Sequence, residues 1–140
     1  MKVCGVELKG NEAIICLINK SDGMIDLPDC RVAKFDITEP SKTESIRDFQ
    51  FKFKKLMEDY QVDAVVIKER VMKGKFAGGA VGFKLEAAIQ LIETVEVEVL
   101  PAMDQKASLK RAPEMLRVKE IGLKGFQQEA YETGFAFLNL

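Results

Sequence analysis

The stretch Asp63-Ala64-Val65-Val66-Ile67 constrains this chain more than any other segment. Its four apolar residues follow one another without alternation, and a strand that is apolar on both faces has to be covered on both sides. It predicts a central strand with helices above and below it. Lys68 and Glu69 continue the strand into a basic, glycine-rich segment, Arg70-Val71-Met72-Lys73-Gly74-Lys75-Phe76-Ala77-Gly78-Gly79. A second buried-looking stretch, Val3-Cys4-Gly5-Val6-Glu7, also ends on a carboxylate and runs out into Leu8-Lys9-Gly10. Ligands of α/β sheets bind outside the carboxyl ends of the strands, so acids at two such ends are more informative than acids on a helix surface.

The remaining elements follow from periodicity and turn chemistry. Residues 2–8, 12–19 and 30–37 are β-rich and separated by turn residues, and Lys9-Gly10-Asn11 closes the first two into a hairpin that brings Cys4 near Cys16. Ser41-Lys42-Thr43-Glu44 has the pattern of a capping box. The helix after it carries Ile46, Phe49, Phe53, Leu56, Met57 and Tyr60 at nearly helical spacing, with Phe51 off that stripe. A helix from Gly79 or Ala80 to about Glu93, a strand over 96–100 ended by Pro101, and a short helix over 104–111 interrupted by Ala112-Pro113 come next. A helix from about Leu123 to Leu138 completes the order. Three antiparallel strands followed by two strands on helical crossovers make a mixed α/β sheet with helices on both faces.

At 140 residues the chain is expected to fold as a single domain over 1–140 with its own core. No apolar run approaches the roughly 18 to 20 residues of a membrane span, and the expected location is the cytoplasm. The formal charge of -1 gives the whole molecule no pull toward nucleic acid, so any such affinity has to be local. Two basic patches stand out, between Lys68 and Lys75 and between Lys106 and Lys119. The three cysteines are widely spaced among apolar residues, as core thiols are. With no histidine, Ser-His-Asp and Cys-His catalysis and imidazole bases are excluded, which leaves carboxylates, lysines and bound metal.

The element order matches the ribonuclease H-like architecture, in which the first and fourth strands lie side by side and would carry Glu7 and Glu69. The segment Gly5-Val6-Glu7-Leu8-Lys9-Gly10 resembles the G-I-D-P-G start of RuvC-type Holliday junction resolvases and their YqgF-like relatives. Val66-Ile67-Lys68-Glu69 resembles their strand with a catalytic glutamate, Leu100-Pro101 with Lys106 downstream their proline and lysine, and Glu129-Ala130 the D-A pair of their last helix. The whole chain, above all K-G-K-F-A-G-G-A-V-G-F-K, also resembles the bacterial domain of unknown function 3010 family.

That resemblance implies a metal-dependent phosphodiester hydrolase, a nuclease or junction resolvase. Glu7 would bridge two Mg²⁺ or Mn²⁺ ions, Glu69 would hold one and Glu129 would complete the set, while Lys73, Lys75 and Lys106 would contact nucleic-acid phosphates. Glu129 is preferred to Glu132 because it lies at the edge of the apolar arc of Leu123, Phe126, Ala130, Gly134 and Phe137, whereas Glu132 is expected to face water. Resolvases of this kind act as dimers, so a homodimer is implied too. A catalytically silent ribonuclease H-like module that binds nucleic acid or a protein partner is the alternative. A third class, nucleotide binding of the actin and sugar-kinase kind, has phosphate loops resembling Gly5 to Asn11 but needs two such domains.

Overall fold

The computed structural model describes residues 1–75, 78–112 and 121–140. Strands β1 (Lys2–Lys9) and β2 (Glu12–Ser21) form an antiparallel hairpin in which Lys9 pairs with Glu12. Gly10, with φ of 58°, makes the left-handed turn between them. β1 also pairs in parallel with β5 (Ala64–Lys68), and β5 with β6 (Glu96–Leu100), so β1 and β5 form the middle of the sheet. Two short strands, β3 (Met24–Asp26) and β4 (Lys34–Asp36), lie on the outer edge of β2.

The absence of alternation in β5 has the predicted result. Val65 and Ile67 face a core formed with α1 (Thr43–Asp59) and α2 (Ala80–Gln90), through Phe53, Leu56, Leu85 and Ile89. Ala64 and Val66 face the opposite core, where Ala130, Tyr131 and Phe135 of α4 (Gln128–Leu138) cover the sheet. Helix α3 (Ala102–Arg111) packs on α4 through the buried Ser108, whose hydroxyl donates to the Ala136 carbonyl at 2.6 Å. The result is a mixed α/β sheet between two helical layers. Among the described residues no helix is long and apolar enough to cross a membrane.

Local expectations changed at four places. The third strand expected over 30–37 is shortened to Lys34–Asp36, which pairs with β2, and an additional short strand, Met24–Asp26, completes the second hairpin before it. Pro28, which has no N–H to give a ladder, lies where the chain leaves the edge, and among the described residues the sheet has six strands rather than five. The capping box is not formed. A turn closed by Lys42 N–H on the Glu39 carbonyl delays α1 to Thr43, and its N-cap is Lys42 without a side-chain bond. The last helix begins at Gln128, after a 3₁₀ turn over Gly125–Gln127, which leaves Leu123 and Phe126 outside it. Cys4 and Cys16 are free and buried but face opposite cores, because Cys4 pairs with Leu17 and Gly5 with Cys16. Burial pushes the Cys16 thiol up to about 12, as suits a packing role.

Candidate functional site

Sheet register decides which charges meet at the carboxyl ends of β1 and β5. Val6 pairs with Ile67, so the next step along both strands brings Lys68 opposite Glu7 and Glu69 opposite Leu8. Val3 and Gly5 face α4, and alternation carries Glu7 to that side; Ala64 and Val66 carry Lys68 there too. Glu69 starts from the α1–α2 side, where the carboxyl of Glu86 on α2 is raised first by desolvation, against the pull of Arg70, with a smaller push from the charge of Glu69.

Helix α4 comes down on β1 with almost no spacing. A Cβ on Gly5 would lie 2.0 Å from the Ala130 carbonyl oxygen and 2.9 Å from the Gly134 nitrogen. The start of the helix is held by the buried Gln127, whose amide donates to the Ile15 carbonyl at 2.8 Å while its oxygen accepts from Lys124 N–H at 2.9 Å. Glu129 is thereby placed over the end of β5, where Lys68 donates to its carboxylate as an ion pair. Glu7 is half-buried beside this pair. Its carboxyl is held above the usual glutamate range, first by desolvation and then by the charge of Glu129, against the opposing pull of Lys68 and Lys9.

Glu69 is exposed and differently engaged. Its backbone N–H extends the ladder to the Leu100 carbonyl at 3.1 Å, and its carboxylate accepts the N–H of Ala102 at 3.0 Å, at the start of α3. Favourable contact between a carboxylate and a helix start is a sufficient reason for that position. Glu7, Leu8, Lys68, Glu69, Arg70 and Gly78 are among the residues lining a cleft of about 240 Å³ at this rim. Glu7 and Glu129 therefore converge around Lys68, and Glu69 borders the same cleft from the other side. Glu132 is half-buried on α4 rather than fully in water as expected.

The glycine-rich segment has a use that was not anticipated. Arg70 folds back over it, with its guanidinium 4.7 Å from the Phe83 ring centroid and Nη1 donating to the Gly79 carbonyl at 3.3 Å. A Cβ at Gly82 would lie 1.9 Å from Nη1, and one at Gly78 would lie 2.5 Å from Nη2. The Gly78 amide is bonded to the Val71 carbonyl at 2.7 Å and is not presented to an anion. These glycines make room for an arginine. Lys73 and Lys75 are exposed on the preceding loop, and Lys106 is exposed on α3, one turn beyond Ala102. Phe76 and Ala77 of the loop, and Pro113, Glu114, Arg117 and Lys119 of the second basic patch, lie outside the described residues.

A two-metal centre needs several oxygen ligands around each ion. Two carboxylates share the α4 side of the rim, and an ammonium group is bonded to one of them. Among the described residues no three acidic or thiol groups gather so as to hold a metal ion. In this arrangement the residues do not fit a pair of divalent cations. Sequence reasoning missed three participants: Lys68, Arg70 and Gln127. For Lys68 the signal was available, since strand alternation separates it from Glu69 and only the register decides which of the two accompanies Glu7.

Comparison with known proteins agrees with this architecture. Residues 1–137 match the family model described as protein of unknown function (DUF3010), and the chain belongs to that family. No curated protein sequence matches it. Among solved structures, Thermus thermophilus RuvC in complex with a Holliday junction substrate is similar over 97% of this chain and 92% of its own, with a TM-score of 0.72 and 16% identity. A second Thermus thermophilus RuvC structure gives 0.67 and 16% identity over 97% and 91% of the two chains. The fold is ribonuclease H-like, of the RuvC kind.

Proposed function

We propose that the protein is a ribonuclease H-like module that binds the phosphodiester backbone of branched or unpaired nucleic acid at the rim formed by the carboxyl ends of β1 and β5. The observation that carries this reading is the rim cleft, about 240 Å³ in volume, with Lys68 and Arg70 in its lining. Lys68 and Arg70 line the cleft beside Glu7 and Glu69, and the exposed Lys73, Lys75 and Lys106 would supply further positive charge for a backbone leaving it, although the whole chain has a net charge of -1. Cations supplied in this way would draw a polyanion to one face only. The likeness to a RuvC structure holding a Holliday junction supports branched DNA as the first ligand to try.

Metal-dependent hydrolysis by Glu7, Glu69 and Glu129 with Mg²⁺ or Mn²⁺ is the second reading, favoured by the convergence of Glu7 and Glu129. It has less support, because Glu69 is directed to Ala102 and Lys68 is bonded to Glu129. Both are tested with one set of labelled substrates: four-way junction, single strand, duplex and RNA–DNA hybrid, with and without Mn²⁺. Saturable binding that weakens as salt rises, without cleavage, is expected. Failure to bind any substrate at low salt would refute the binding reading, and Mn²⁺-dependent cleavage abolished by Glu69→Gln would establish the hydrolase instead.

A further inference from the structure

We infer that Lys68 is the resident cation of the Glu7–Glu129 site, so that its ammonium group holds the place a divalent ion would need, and the site works without metal. The inference rests on three geometric facts and not on nucleic-acid binding. Register places Lys68 opposite Glu7 in the neighbouring strand and on the same face. Its ammonium group is bonded to the Glu129 carboxylate. Helix α4, which carries Glu129, cannot move away without breaking the Gly5–Ala130 contact and the Gln127–Ile15 hydrogen bond.

An ion placed between Glu7 and Glu129 would have to displace the ammonium group from its partner and then remain beside it. Two carboxylates with one lysine retain a single negative charge, too little for a divalent cation that has to give up water for each protein oxygen. Removing the lysine charge should therefore expose a site for hard cations that the native protein keeps closed. Lys68→Glu would add a third oxygen donor on the same face.

The test is Mn²⁺ titration followed by electron paramagnetic resonance, with no nucleic acid present. The native protein and Lys68→Arg are expected to show no saturable binding. Lys68→Met should bind one ion, and Lys68→Glu should bind it more tightly by about tenfold or more, the scale on which a nearby unit charge moves carboxylate equilibria. Adding Glu129→Gln to Lys68→Glu should abolish the gain. Lys68→Met serves where Lys68→Glu fails to fold. Saturable Mn²⁺ binding by the native protein that is lost in Glu7→Gln would overturn the inference. So would folded Lys68→Met and Lys68→Glu proteins that bind no more tightly than the native one. Because the readout contains no nucleic acid, failure here is distinct from failure of the proposed binding function.

Discussion

Gly5 lies directly beneath Ala130, so close that a methyl group there would come within 2.0 Å of the Ala130 carbonyl oxygen. Neither that oxygen nor the Gly134 nitrogen at 2.9 Å can rotate away, since both belong to the backbone of α4. Gly5→Ala should destabilise the protein by about 3 kcal/mol, at the upper end of the range for overpacked cores. Gly134→Ala would meet the terminal methyl of Ile18 at 2.6 Å, which another rotamer can relieve. It should lose about 1 kcal/mol or less, because alanine's better helix propensity offsets part of the crowding. Urea unfolding of the two variants checks the difference, and equal losses would mean that α4 is free to shift on β1.

The raised carboxyl of Glu7 predicts a pH dependence of definite sign. Between the ordinary glutamate value of 4.5 and the higher value in the folded protein, the folded state binds more protons than the unfolded one. Stability from this group therefore falls as pH rises through that window and stays reduced above it. Glu7→Gln removes the charge, so its thermal midpoint should exceed that of the native protein at pH 7 and approach it below about pH 4.5. Thermal unfolding across pH 4 to 8 follows the two curves. A variant less stable at pH 7 than the native protein would show that Lys68 and Lys9 more than compensate the burial and the repulsion from Glu129.

Arg70 holds the loop before α2 through the space left by two glycines. In Gly82→Ala the new methyl would occupy the position of Nη1, displacing the guanidinium from its place over Phe83. The displaced group is the end of a flexible side chain, and alanine is favoured over glycine inside a helix by up to about 1 kcal/mol, so global stability should change little. Local opening should increase, and hydrogen exchange at the Gly78 amide, now bonded to Val71, should accelerate by about tenfold while the amides of β5 keep their protection. Unchanged exchange at Gly78 would mean that the loop is held without Arg70.

The middle of the sheet was legible in the sequence because an unalternating apolar run admits one environment, and β5 is covered on both sides. The outer edge was not, since local propensity does not show that only Lys34–Asp36 of the segment 30–37 pairs with β2, or that Met24–Asp26, before Pro28, is a strand of its own. The carboxylates were found at the correct strand ends, yet their grouping depended on register. A shift of one residue changes which side chain shares a face, and Lys68 and Glu69 differ by that one step. The ion pair that resolves it joins residues 61 positions apart, and the Gln127 bond that fixes the helix start spans 112. Neither distance leaves a local pattern.

Lys106 provides the most selective test of the proposed nucleic-acid surface. It is exposed on α3 one turn beyond Ala102, the residue whose amide holds Glu69, and the proposed surface runs from the Lys73 loop across the rim to it. If both sides contact phosphate, Lys73→Ala and Lys106→Ala should each weaken junction binding and reduce the slope of log affinity against log salt by about 1, with the double variant losing about 2. Lys52→Ala, on α1 and paired with Asp48, should leave the slope unchanged. Fluorescence anisotropy at four or five salt concentrations separates the cases. A slope that responds to Lys73 alone would confine the contact to the loop, and a slope indifferent to both would place the nucleic acid elsewhere on the protein.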